Sequence, residues 1–162
     1  TKVLHQSIIP APEKIAKFLN ITPGVKIIDI QRLRYINDQP IQLVTTYIPL
    51  DVCPDLASVD LTNRSLYEYL EKECNVFIAK GRRYIEAVLA TDTEAELLGI
   101  GKGDPLLMLD SISYTESGQP IEYYHALHRG DRSRFEVELV RLHESETSLV
   151  ELGPSFSGLP KN

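Results

Sequence analysis

The residue types best suited to chemistry sit in the stretch KIIDIQRLRYI, where Arg32 and Arg34 are separated by a single residue. On a β-strand alternate side chains share a face, so Ile28, Ile30, Arg32 and Arg34 point the same way and an apolar face turns doubly cationic near its end. Two guanidinium forks side by side suit a phosphate or a carboxylate. Taken alone, an Arg-x-Arg is more often solvated, or paired with carboxylates across a sheet. The second polar set is Glu122, Tyr124 and His128, which also fall at period two in PIEYYHALHR. That is more polarity than a plain core face carries.

A third element can join them. Ser65 followed by Glu68 predicts a capping box opening a helix whose inner stripe is Leu66, Tyr69, Leu70 and Cys74. The bland role of Ser65 is capping; a helix start also presents free N–H groups and the positive end of the helix dipole to an anion.

The elements that must position these groups follow from an internal repeat. Residues 16–24 (AKFLNITPG) align with 95–103 (AELLGIGKG), matching Ala, Leu, Ile and Gly without a gap. After one extra turn residue, Gln39-Pro40-Ile41 falls on Gln119-Pro120-Ile121. Each copy reads as helix, glycine stop, strand, turn, strand, and two copies make one sheet with pseudo-equivalent halves rather than a solenoid. Ser111 and Ser113 occupy the positions of Arg32 and Arg34 in the second copy, so both halves are polar there, as a pocket lining would be.

In chain order the reading is a strand over 2–9, a helix over 12–20, strands over 25–36 and 40–48, and a loop with a short helical turn over 51–61. A helix from Ser65, a strand within 75–90, a helix over 91–99 and two strands joined by a turn at 115–119 come next. A last strand is expected over 136–142, and a Ser-, Gly-, Pro- and Glu-rich tail over 144–162. Hairpins dominate, so the class is α+β, with a mostly antiparallel six-stranded sheet covered by helices.

The chain has 162 residues, 43% hydrophobic and 25% charged, enough for one domain with a real core. Its net charge of −6 argues against gripping nucleic acid by itself. Cys53 and Cys74 suggest neither a disulfide framework nor a metal spacing, which leaves a reducing cytoplasm as the expectation. No cofactor signature is legible, His5, His125, His128 and His143 have no metal-ligand spacing, and no apolar run suggests a membrane span. Glu86 and Glu122 could pair as acid and base, but nothing demands catalysis. A start at Thr1 suggests part of something longer.

Five pieces in series resemble the UTRA effector-sensing domain of HutC-type GntR bacterial transcription regulators, over roughly residues 3–142. They are Arg32-Leu33-Arg34 before Pro40-Ile41, Ser65-Leu66-Tyr67 at a helix start, Leu97-Leu98-Gly99-Ile100 before Gly103, Gly118-Gln119-Pro120-Ile121-Glu122-Tyr123, and Arg129-Gly130-Asp131-Arg132. The resemblance implies a chorismate-lyase-like fold over 1–143, a homodimer, and DNA contact through a winged helix-turn-helix domain that this chain lacks. It also implies that Arg32, Arg34, Ser65 and Tyr67 hold the phosphate of a small effector, with Glu122 and Tyr124 on the rest of it. Ser111, Ser113, Glu86, His128 and Arg129 are further candidates. Val44 stands where the family often has glutamate, and Ser133 where it often has an aromatic. Two other readings remain open: a small lyase of the chorismate-lyase type, and a dimerisation module with no cavity and with Arg32 and Arg34 in solvent.

Overall fold

A computed structural model describes residues 1–138. Its elements run β1 (Lys2–Pro10), α1 (Glu13–Leu19), β2 (Lys26–Ile36), β3 (Gln39–Pro49), a 3-10 turn (Pro54–Ser58), α2 (Leu66–Cys74), β4 (Lys80–Leu89), α3 (Asp92–Leu98), β5 (Pro105–Tyr114) and β6 (Pro120–Arg129). All strand pairs are antiparallel, in the order β1-β2-β3-β6-β5-β4. That order is a palindrome. A β-α-β-β unit is followed by its copy, joined back to back through β3 and β6, so the repeat extends one strand further than the helix-strand-strand pattern read from sequence.

Local chemistry sets each boundary. Asn37 and Asp38 both take positive φ (48° and 60°), the requirement of a two-residue type I′ hairpin, and this fixes the β2–β3 register. α3 begins with a full capping box, in which Thr91 Oγ1 accepts from the Glu94 amide and Glu94 returns the bond to the Thr91 amide. It ends at Gly99 in the left-handed region, φ 63°, which glycine adopts without strain. Both hairpins carry an irregularity at matching places, Arg34/Tyr35 and Ser113/Tyr114.

Alternation assigns the two faces. On one, α1 covers Ile27, Ile112 and Tyr123, and α3 covers Leu33, Leu43, Leu106 and Leu127. On the other, the 3-10 turn and α2 pack Leu56, Leu61, Leu66 and Leu70 over Ile28, Ile30 and Ile48. Each such aliphatic side chain contributes about 1.5–3 kcal/mol on full burial, and together they hold α2 against one end of β2. The remainder of that face is where the polar groups gather.

Two expectations need correction. Cys53 and Cys74, 21 residues apart, form a disulfide with Cα atoms 5.7 Å apart; the 3-10 turn carries Cys53 into the same apolar cluster as the last residue of α2, a contact that spacing could not reveal. Of the last strand expected over 136–142, residues 136–138 are unpaired. The rest of it, with the tail at 144–162, lies outside the described residues. No helix among the described residues is long and apolar enough to cross a membrane.

Candidate functional site

The cavity at the open end of the α2 face has a volume of about 440 Å³ and is lined by Arg32, Arg34, Asn63, Arg64, Ser65, Tyr67, Arg83 and Tyr124 among others. The sheet register explains who meets whom. Arg32 lies opposite Val44 and Arg34 opposite Gln42; Ser113 lies opposite Glu122 and Ser111 opposite Tyr124. All share one face, and the two halves supply equivalent polar pairs, Arg34–Gln42 from one and Ser113–Glu122 from the other.

Arg32 is the anomaly of this face. The residue is buried, 9% exposed, and its Nε has no hydrogen-bond partner among the described residues. Burial, then the like charge of Arg34, lowers its pKa, yet an arginine stays protonated near neutrality. No salt bridge joins Arg32, Arg34, Arg64 or Arg83 to a carboxylate among the described residues. A buried cation without a partner is costly, and a ligand anion would relieve it.

Glu122 is fully buried just behind the lining. One carboxylate oxygen accepts from Ser113 (2.7 Å) and from the Tyr67 hydroxyl (3.1 Å), while the other has no partner among the described residues. Burial pushes its pKa up, against the pull of these bonds and of Arg32 and Arg83. Tyr67 is pushed up in turn, mainly by burial and by Glu122. The Tyr67 bond ties the first turn of α2 to β6. Ser65 caps that turn, its Oγ accepting from the Glu68 amide at 3.3 Å. Glu68 turns to Lys72 instead of closing the expected box, and the hydroxyl hydrogen of Ser65 remains able to donate.

Behind the lining, the buried Gln42 amide forms a bridge: its Nε2 donates to the Tyr124 hydroxyl and to His128 Nε2 (2.9 Å), and its Oε1 accepts from Arg34 at 3.5 Å. Burial, with Arg34 and Arg83 nearby, lowers the His128 pKa to about 4. Phe135 meets the His128 ring edge-on, centroids 5.1 Å apart. Val44 packs with Leu109 and Ala126, so an apolar patch stands where a glutamate was the family expectation.

The structure therefore brings Arg32, Arg34, Ser65, Tyr67, Glu122 and Tyr124 together, with Ser111, Ser113 and His128 alongside. It does not bring Glu86 or Arg129. Glu86 is three residues from Arg83, an odd step that turns it to the opposite, exposed face of β4. Arg129 also points to the opposite face, where it donates to the Pro40 and Leu98 carbonyls and pairs with Asp131 at 2.8 Å. Sequence reasoning missed Arg83 as a lining residue and Gln42 as the buried amide that holds Arg34 and Tyr124. Gln42 could have been found, because the repeat places it on Glu122.

Comparison with known proteins agrees with this architecture. The UTRA domain family model matches residues 1–134. The regulator Rv0792c of Mycobacterium tuberculosis is 35% identical over 153 residues, covering 92% of this chain and 56% of that protein. The repressor NagR of Bacillus subtilis is 28% identical over 142 residues, covering 88% of this chain and 58% of its own length. The chain thus spans little more than half of these curated relatives. Among solved structures, the ligand-binding domain of a GntR-family regulator from Bordetella bronchiseptica superposes with a TM-score of 0.82 at 28% identity, over 86% of this chain and 90% of that one. The C-terminal domain of the histidine utilization repressor from Pseudomonas syringae gives 0.79 at 26%, over 86% and 97%. With three-stranded halves, an α2-covered pocket face and a family match over most of its length, this chain belongs to the UTRA family, the domain carried by HutC-like regulators of the GntR class.

Proposed function

We propose that residues 1–143 form the effector-sensing domain of a dimeric bacterial transcription regulator working in the cytoplasm, and that the effector is a small anionic metabolite, a phosphorylated sugar or a carboxylate. One observation carries this reading: Arg32, a buried guanidinium with an unpartnered Nε, opens beside Arg34 and the capped tip of α2 onto a cavity of about 440 Å³. Arg32 and Arg34 hold the anion, Ser65 and the free amides of the first turn complete its shell, and Glu122, Tyr67 and Tyr124 meet the polar remainder of the ligand. Relatives named for repression of mannosyl-D-glycerate and histidine utilization point to small hydrophilic effectors. The acidic charge of the chain leaves DNA contact to a winged helix-turn-helix domain outside this sequence.

Regulation follows if the ligand prefers one arrangement of the dimer. An effector shifts that equilibrium only by its differential affinity for the two states. Edge strand β4 exposes Ile85 (46%) and Leu89 (70%), apolar surface that supports pairing with a second copy. The reading is tested by thermal unfolding against a panel of sugar phosphates and small carboxylates. A true effector at a hundred times its Kd adds about 2.7 kcal/mol, and the double variant Arg32→Ala, Arg34→Ala loses that gain. No response to any anion, or an undiminished response in the variant, refutes it.

A further inference from the structure

The cavity holds a second cationic anchor that the first does not need. Arg83 lies on β4, at the far edge of the sheet from Arg32 and Arg34 on β2. Four strand spacings separate those strands, roughly 19 Å measured flat at ~4.8 Å each. All three arginines nonetheless line the same cavity. The Arg83 side chain leans inward, its Nε donating to Ser111 Oγ at 2.8 Å and leaving its two terminal nitrogens without a hydrogen-bond partner among the described residues. Its charge bears on Glu122, Tyr67, Tyr124 and His128; Arg32 acts on Glu122 as well, and Arg34 on Tyr124 and His128, so these groups lie between the two cationic ends. Tyr124 stands between the two cationic positions: it faces Ser111 on one side and Thr46 on the other.

Charge balance points the same way. Arg32, Arg34, Arg64 and Arg83 line the cavity, no carboxylate is among its lining residues within the described chain, and Glu122 behind it is buried and shared between Ser113 and Tyr67. Arg32 and Arg34 enter the cavity from β2 and Arg83 from β4, on opposite sides of the strand that carries Tyr124. Resting on the reading of this cavity as an anion site, we infer that the effector carries two separated anionic groups, one held by Arg32, Arg34 and Ser65 and the other by Arg83, with an uncharged hydrogen-bonding middle over Tyr67 and Tyr124. Arg83 is then a specificity-determining residue, because it separates bis-anionic from mono-anionic compounds of one skeleton.

The probes are alkane-α,ω-diol bisphosphates of two to six carbons and the matched alkyl monophosphates, titrated calorimetrically into the purified chain at about 0.15 M salt, where the Debye length is about 8 Å. At the best length the bisphosphate binds at least ten-fold more tightly than its monophosphate. Arg83→Ala removes that advantage, weakening the bisphosphate at least five-fold more than the monophosphate; Arg83→Lys restores part of it. Because Arg83 sits exposed on an edge strand, its removal leaves the fold intact, which a thermal melt verifies. Equal affinities for the two probe classes, or an Arg83→Ala variant that weakens both alike, overturns the two-anchor inference while leaving the anion pocket standing. Failure of every probe to bind, with Arg32→Ala equally silent, overturns both.

Discussion

Replacing Arg32 by methionine should raise the stability of the empty domain while abolishing its response to anions. In the empty protein Arg32 is 9% exposed as a residue, its Nε lacks a partner among the described residues, and it stands beside the like charge of Arg34. Burying an ion costs several kcal/mol when nothing compensates, and exchanging buried charge for apolar volume stabilises by about 1–4 kcal/mol. Hydration from the open cavity reduces this, so about 1–3 kcal/mol is the working figure. Methionine keeps most of the packing, which alanine would not. For a chain of this size each kcal/mol moves Tm by about 2–4 °C, so the empty variant should melt roughly 2–12 °C higher. Saturating the wild type at a hundred times Kd adds about 2.7 kcal/mol, roughly 5–11 °C, and should add almost nothing to the variant. Differential scanning calorimetry with and without the anion measures all four melting points. An Arg32→Met protein that is less stable when empty, or that keeps the anion-induced shift, would show that Arg32 is a structural residue and not a strained receptor.

Two further outcomes follow. The raised pKa of Glu122 means the folded protein holds that proton more tightly than the unfolded chain, so its contribution to stability is full below about pH 4.5 and is lost as pH rises through the folded value. His128 acts in the opposite sense, its contribution present above about pH 6.5 and lost as pH falls towards 4. Glu122→Gln should therefore remove only the first trend and gain on wild type as pH rises, a difference read from urea midpoints between pH 4 and 8; parallel profiles would place the Glu122 charge in water. Reducing the Cys53–Cys74 bridge, which closes a loop of 21 residues in separation, should lower stability by up to about 3 kcal/mol in the chain-entropy account, and a thiol titration alongside unfolding checks it. An unchanged denaturant midpoint after full reduction would sink that expectation.

What could be read in advance depended on range. Arg32, Arg34, Glu122 and Tyr124 were assigned a face by strand parity alone, and Ser65 a cap by its spacing to Glu68, because both rules act over a few residues. The repeat carried the topology further, since two copies of one unit constrain how a sheet can be ordered. Arg83 escaped because its role depends on β4 pairing with β5, a contact between residues 28 apart, and on β5 lying beside β6. Glu86 was misplaced for a related reason: chemistry nominated it, but an odd step from Arg83 turns it outward. The disulfide depended on how the 3-10 turn folds back on α2, and no pattern in either segment encodes that approach.

The palindromic order of the strands bears on what the pocket can distinguish. Each unit of strand, helix and hairpin meets its twin at the β3–β6 seam, so the two ends of the sheet are related by an approximate two-fold rotation. The side chains break that symmetry, with Arg32 and Arg34 in one half at the posts that Ser111 and Ser113 hold in the other. A frame that is nearly symmetric can thereby tell the head of a lopsided metabolite from its tail.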